Sequence, residues 1–323
     1  MLDVCLLGTG GVQPLPGRRL SSVLVRSGRN LALLDCGEGT QVALRERGWG
    51  LRRLNAILLS HMHADHVLGL PGLLLTLAFS GKGPDDPLTI YGPEPLPAIL
   101  RGLLVVAPRL PYPLDVVVLA GGERVPLAGL AGVELGCVPL DHEIPCLAYS
   151  LAVPRAPRFA PDRARDLGVP VSAWHRLQHG EEVVIDGRAV TPDQVRGPAR
   201  RGLRLVYATD TRPTSRLKAF LREGGVETTD RGEAGGLDGA DLFICDGTYG
   251  DEADKPARWE AQHMTFAEAA TLARDSGARR LWLTHFGPAL SDPPAYRDRA
   301  ATIFPATTVG RDGLTDTLVF DDA

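Results

Sequence analysis

Three histidines and an aspartate fall within six residues of this chain, in the stretch Ser60-His61-Met62-His63-Ala64-Asp65-His66. Imidazole nitrogen and carboxylate oxygen are good ligands for zinc, and for manganese or iron. A histidine that only fills a core position needs no such neighbours. Alternation along an extended turn puts His61 and His63 on one side, while Asp65 and His66 follow at a bend and can face a second point. One loop does not complete two coordination shells. Three further residues stand where apolar, strand-like runs end: His142 after VELGCVPLD, Asp210 after LRLVYAT and His285 after RLWLT. Together these are five histidines and two aspartates, enough for two divalent ions, with Asp210 able to bridge them through its two oxygens. Two such ions roughly 3.5–4 Å apart can share a water and pull its pKa toward about 7, which is hydrolytic chemistry.

The elements that must position these residues are short. LDVCLLG, SSVLVRS and LALLDCG read as successive strands bounded by Gly-rich turns, TQVALRERG as a short helix, and NAILLS as the buried strand that leads into the histidine loop. LPGLLLTLAFSG reads as a helix with Pro71 near its first turn, where a missing N–H costs nothing. LTIYGP, DVVVLA, VELGCVPL, CLAYSLAV, LRLVYATD, DLFICDG and RLWLTHFGP read as strands and PLPAILRGLL as a helix. Thr265 and Glu268 form a T-x-x-E capping box ahead of the helix in MTFAEAATLARDSG, and TTVG with DTLVF is expected to close the chain as a hairpin. Strands alternating with helices indicate the α/β class, and the consecutive early strands indicate a mixed sheet. Residues 154–203 differ in character, being rich in Pro, Gly and Arg with weak periodicity, and read as an insertion projecting from the core.

With 323 residues, 44% of them hydrophobic, the chain can bury a sizeable core, which excludes global disorder. No run of about 18 uncharged apolar residues is present, so a membrane-spanning helix is not expected. The N-terminal MLDVCLLGTGGVQP reads as a strand and turn rather than a signal peptide. Cys5, Cys36, Cys137, Cys146 and Cys245 are scattered and odd in number, which suits reduced thiols in a cytoplasmic protein. The formal net charge of −4 does not mark a nucleic-acid binder, but residues 155–216 carry twelve arginines, no lysine and seven acids, a local +5. That segment is either a solvated basic surface or an arm that contacts phosphates through arginine's forked donors. His175 and His179, in WHRLQHGEE, lie within it at a spacing that permits a further metal site, although a solvated or phosphate-facing role suits them better.

The order H-x-H-x-D-H, then a later His, Asp and His, resembles the signature of the metallo-β-lactamase superfamily across nearly the whole chain. GTGGVQP, LLDCGEGTQ, HADHVLGLPGLL, LTIYGP, YATDTRP, HMTFAEA and LWLTHFGP, in that order, are similar to the ribonuclease Z branch, the endonucleases that trim 3′ trailers from tRNA precursors. The resemblance implies an αββα sandwich of two mixed sheets, one domain over 1–323, with 154–203 as an inserted, protruding RNA-binding arm. It implies two divalent ions per subunit, zinc above manganese or iron. His61, His63 and His142 would hold one; Asp65, His66 and His285 the other; Asp210 would bridge. It further implies that Asp65 also accepts a proton, that His263 lies near the scissile phosphate, that the products carry 3′-hydroxyl tRNA ends, and that the enzyme is a homodimer.

Three positions depart from the branch pattern: Leu20 stands where an asparagine follows the basic loop Arg18-Arg19, Thr209 where a glycine precedes the bridging aspartate, and Cys245-Asp246 where histidine and glutamate are usual. The ligands themselves are untouched, so these changes bear on the RNA end and the proton network. The alternative reading is therefore a related hydrolase acting on a small phosphodiester or other ester.

Overall fold

The computed structural model describes residues 1–198, 200–223, 239–255 and 262–321 of the chain. Two-residue alternation explains its layering. In the first strand Leu2, Val4 and Leu6 join one hydrophobic cluster, while Cys5 and Leu7 join another on the opposite face. Every residue of that strand is buried, the pattern of a strand covered on both sides.

Sixteen strands lie among the described residues: β1 Leu2–Gly8, β2 Ser22–Ser27, β3 Asn30–Leu34, β4 Leu54–Leu58, β5 Leu88–Gly92, β6 Leu114–Val118, β7 Arg124–Pro126, β8 Glu134–Pro139, β9 Leu147–Arg155, β10 Val183–Ile185, β11 Arg188–Val190, β12 Arg200–Ala208, β13 Leu242–Asp246, β14 Leu281–Thr284, β15 Thr307–Val309 and β16 Thr315–Leu318. They form two seven-stranded sheets, ordered β16-β1-β2-β3-β4-β5-β6 and β15-β14-β13-β12-β9-β8-β7, and a small hairpin β10-β11. Both large sheets are mixed. The run β3 to β6 is parallel and β1-β2-β3 antiparallel, while β12 to β15 is parallel and β7-β8-β9 antiparallel.

The central cluster draws on both sheets, Val4, Val25 and Leu58 from one and Leu135, Tyr149 and Leu205 from the other, so the sheets pack face to face. The outer face of the first sheet is covered by helices Thr40–Arg47, Leu70–Phe79 and Leu96–Leu103. That of the second is covered by Ser215–Glu223, Phe266–Asp275 and Arg297–Ala301. This is an αββα sandwich. The Thr265–Glu268 capping box is formed, as is the proline start of Leu70–Phe79.

The expected closing hairpin does not form. β15 pairs parallel with β14 in the second sheet, and β16 pairs antiparallel with β1 in the first. Each large sheet ends on a strand with open hydrogen-bonding groups, and the last two strands close one edge apiece. Gly310 makes the crossing possible, because a Cβ there would lie 2.4 Å from the Leu283 carbonyl oxygen.

The described chain divides into two compact units. The sandwich is the first, containing Met1–Val153 and most of the chain after Leu203. The second takes in Pro154–Gly202, and despite its weak periodicity it carries helices Pro161–Asp166 and Val171–Gln178, the β10-β11 hairpin, and a small core of Ala164, Val169, Leu177, Val183, Val190 and Val195. Its arginines are partly spent locally: Arg165 pairs with Asp162, Arg176 with Glu181 and Arg196 with Asp193. Arg158 and Arg188 are exposed. Arg204, counted in the basic segment, is instead fully buried in the first unit and donates to the carbonyls of Phe220 and Leu221.

Candidate metal centre

The carboxyl ends of parallel strands deliver most of the site, as expected of open α/β sheets. Asp35 follows β3, and Ser60 and His61 follow β4 closely. Asp210 follows β12, Asp246 ends β13, and His285 follows β14. Asp65 and His66 sit on the short helix Ala64–Val67, and His142 lies in the loop after β8. Three of these residues adopt the left-handed backbone region that favours glycine: Asp35 at φ 56°, Asp210 at 54° and His285 at 58°. Such strain persists where the surroundings impose it, and it gathers at functional sites. Each is the residue that turns the chain at a strand end.

All seven residues expected to bind metal converge. His63 Nδ1 lies 3.0 Å from His61 Nε2 and 3.2 Å from His142 Nε2. Asp65 Oδ2 lies 3.4 Å from Nε2 of both His66 and His285, which are 3.3 Å from each other. Asp210 Oδ2 is 3.2 Å from His66 Nε2 and 3.3 Å from His285 Nε2, while its Oδ1 is 3.9 Å from His61 Nε2. The ligand atoms of His61, His63 and His142 form one cluster able to hold an ion, and those of Asp65, His66 and His285 a second. His61, His66, Asp210 and His285 are almost wholly buried.

The donor set fits cations. Ligand bonds of about 2.1 Å place neighbouring donor atoms roughly 3.0–3.4 Å apart around one ion. The hydrogen-bond network also turns lone pairs inward. His66 Nδ1 donates to Asp35 at 2.8 Å. Ser60 Oγ donates to Asp35 at 2.8 Å, which leaves its lone pair for His61 Nδ1 at 3.0 Å. Thr248 Oγ1 donates to Asp246 at 2.7 Å and sits 3.2 Å from His285 Nδ1. With Nδ1 of each ring so engaged, Nε2 is the ring atom left facing Asp210 in all three. Asp210 Oδ2 is buried without a hydrogen bond. Two carboxylates packed against these rings in a buried site need positive charge among them, which ring protons or bound cations can supply.

Titration behaviour reflects the same packing. Burial, aided by neighbouring His66, pushes the His61 pKa well down. Burial takes His142 down to about 4, so both imidazoles are neutral at pH 7, as ligands must be. Burial also opposes charge on His66 and His285, but Asp210 with Asp35 raises the first and Asp210 with Asp65 the second. Burial works against ionised Asp65 too, yet the rings of His285 and His66 hold its carboxyl far below the usual range.

His263 lies beside the ligands, stacked on His285 at 5.4 Å, and with Asp210 and His285 it forms a further group whose donor atoms could hold an ion, although its Nδ1 is engaged by Asp246. Its Nδ1 is 2.8 Å from Asp246 Oδ2 and 3.9 Å from Asp210 Oδ1. Asp246 also accepts from the Asp210 backbone N–H at 3.1 Å. Asp246, expected to bear on the proton network, does hold His263, and it also braces Asp210 and, through Thr248, His285. The other departures are packing positions: Leu20 is 3% exposed and Thr209 fully buried. Arg18 donates to the carbonyls of Leu290 and Ser291, and Arg19 pairs with Glu46. His175 and His179 stack at 4.0 Å in the second unit, and among the described residues neither joins a candidate metal group.

The supporting residues were the harder ones to read. Asp35 accepts from the Ser60 backbone N–H and hydroxyl, His66 and the Tyr207 hydroxyl. Val12 N–H donates to Asp65 Oδ2 at 2.7 Å. The neighbouring Gly11 permits that approach, since a Cβ there would lie 2.5 Å from the His285 ring. The available signal was a carboxylate ending an apolar strand run, in LALLD and again in LFICD. Replacing Asp35 by asparagine is expected to weaken metal affinity about 10- to 100-fold, because the amide no longer holds the His66 tautomer. Competition with a chromophoric chelator measures it, and unchanged affinity would remove Asp35 from that role.

The chain is 42% identical over 322 residues to a ribonuclease Z from Lachnospira eligens, covering all of this chain and 99% of the relative. It is 43% identical over 323 residues to a ribonuclease Z from Clostridium kluyveri, with full coverage of both. A family model described as anti-Pycsar protein Apyc1 matches residues 2–103. Among solved structures, the metallo-β-lactamase fold protein YhfI from Bacillus subtilis superposes with a TM-score of 0.66 at 19% identity, covering 97% of this chain and 98% of that one. Human tRNase Z, short form, superposes at 0.64 and 21% identity, covering 98% and 100%. Both show the same fold.

Proposed function

This chain belongs to the ribonuclease Z family, and we propose that it removes the 3′ trailer from tRNA precursors by hydrolysing one phosphodiester at a two-metal centre. The observation that carries the reading is the convergence of His61, His63, Asp65, His66, His142, Asp210 and His285 in a chain related to the family over its whole length. Divalent cations held there would polarise a phosphoryl oxygen and acidify a water. We take the ions to be zinc, which His-rich ligation suits, with manganese and iron as the competitors.

The chain's own residues position the reaction and move the protons. The Val12 N–H and the two neighbouring rings fix Asp65 through Oδ2. Its carboxylate takes the proton of the attacking water. Asp246 holds His263 through Nδ1, which leaves Nε2 to donate a proton to the departing ribose O3′. The P–O3′ bond breaks, the tRNA keeps a 3′-hydroxyl, and the trailer keeps the phosphate. Residues 154–203 are the arm in this reading, with exposed Arg158 and Arg188 suited to RNA phosphates. We read the enzyme as a cytoplasmic homodimer, with its five buried cysteines as reduced thiols.

A second reading, hydrolysis of a small phosphodiester at the same centre, is favoured by the departures at Leu20, Thr209 and Cys245-Asp246. One experiment separates the two. Labelled tRNA precursor is incubated with metal-loaded enzyme, with chelated enzyme and with a variant lacking residues 155–200. A single cut just past the acceptor stem, lost on chelation and on deletion while the deletion variant still hydrolyses a small chromogenic diester, is the expected result. Intact precursor beside rapid turnover of the small diester by the full chain would overturn the first reading in favour of the second.

A further inference from the structure

Beside His263 a cavity of about 260 Å³ opens, lined by Val12, Tyr249, Leu290 and Tyr296 among others. Its size suits one planar, base-sized group. Tyr249 and Tyr296 are only partly buried, and neither phenol hydroxyl has a hydrogen-bond partner among the described residues. The Tyr249 and His263 rings stand 6.2 Å apart and near-perpendicular at 79°. Two aromatic walls with unspent hydroxyls are what a nucleobase needs: faces to stack on and donors for its edge. Leu290 is held in place by Arg18, which donates to its carbonyl. A second cavity, of about 350 Å³, opens beside His142 and shares no lining residue with the first.

His263 decides which nucleotide belongs to which cavity. A general acid must reach the oxygen that leaves, and here that oxygen is the O3′ of the last nucleotide the tRNA keeps. The base of that nucleotide is therefore the one nearest His263. On the ribonuclease reading above, we infer that the cavity walled by Tyr249 and Tyr296 is a stacking pocket for the last retained nucleobase, which sets the cut between that nucleotide and the next. Stacking accepts any base, so the pocket measures position and reads no sequence.

The test pairs a protein change with a substrate change. Precursor tRNA is prepared intact, with an abasic ribose at the last retained nucleotide, or with one at the first trailer nucleotide. Metal-loaded wild type and Tyr249→Leu are compared by kcat/KM and by cut position. Removing the retained base should cost wild type roughly 5- to 100-fold. Tyr249→Leu should lose a similar factor on intact precursor and on the trailer-abasic one, but little on the retained-abasic one, and its cuts should spread to neighbouring bonds. Equal losses for Tyr249→Leu on all three substrates overturn the inference alone. Wild type that leaves every precursor whole overturns the ribonuclease reading and the inference with it. If Tyr249→Leu does not fold, Tyr296→Leu, on another part of the wall, carries the same comparison.

Discussion

Replacing Asp210 by alanine is expected to empty the metal centre and to lower phosphodiester hydrolysis by at least about 10³-fold, the equivalent of the several kcal/mol a bound cation contributes to the transition state. Asp210 is the residue that faces rings from both ligand clusters, with Nε2 atoms of His61, His66 and His285 at 3.9, 3.2 and 3.3 Å. Without it Asp65, 3.4 Å from Nε2 of His66 and of His285, is the carboxylate left among the inward-facing rings, and the link to His61 is gone. His66 and His285 then lose the carboxylate that raises both their pKa values. Asparagine keeps the shape and one acceptor but removes the charge, so Asp210→Asn should retain partial metal and fall between the two. Metal content by mass spectrometry, beside kcat on a small diester, measures both. An alanine variant with two metals per chain and near-normal turnover would take Asp210 out of the centre.

The second large effect concerns His263. Its replacement by alanine is expected to lower kcat about 10²- to 10⁴-fold with metal content unchanged, the range for loss of a positioned general acid. Burial alone would depress its pKa, but the Asp246 carboxylate 2.8 Å away more than reverses this and raises it to about 9. The ring is therefore protonated at pH 7, ready to donate. In the wild type, kcat should fall as pH rises toward about 9, earlier when bound cations add positive charge nearby. Asp246→Asn should move that fall to lower pH, and His263→Ala should remove it. The linkage has the matching sign. A folded-state pKa above the unfolded value of about 6.5 contributes stability that is complete below that value and gone above about 9, so Asp246→Asn should destabilise more at pH 6 than at pH 10. A flat wild-type profile from pH 7 to 10, superposable on that of His263→Ala, would remove His263 from proton transfer.

The residues that converge at the candidate metal centre were legible because their chemistry is local. HMHADH concentrates imidazole beyond any packing need, and His142, Asp210 and His285 each end an apolar run. Period-two burial likewise marked the strands, as in Leu2, Val4 and Leu6 against Cys5 and Leu7. Residues 154–203 were legible only as a change of composition. Their two helices are short, and the small core under them draws single residues from several elements, so no period survives.

Pairing across long separations was not legible. TTVG and DTLVF are adjacent strand-like runs, and adjacency alone favours a hairpin. The open edges of β14 and β1 took one run each. The support for the centre is of the same kind. Asp35 meets Tyr207 across 172 residues, and Val12 meets Asp65 across 53. The roles of Asp35, Asp246 and the Val12 N–H depend on which strand ends the folded sheets bring together. By itself the sequence determined the donor set, the strands that end in it and the family, because residue types and apolar periodicity are properties of short segments. Only the tertiary structure decided which ring nitrogens face inward, which carboxylates hold them and where a base-sized cavity opens, because those depend on contacts between segments that the chain keeps far apart.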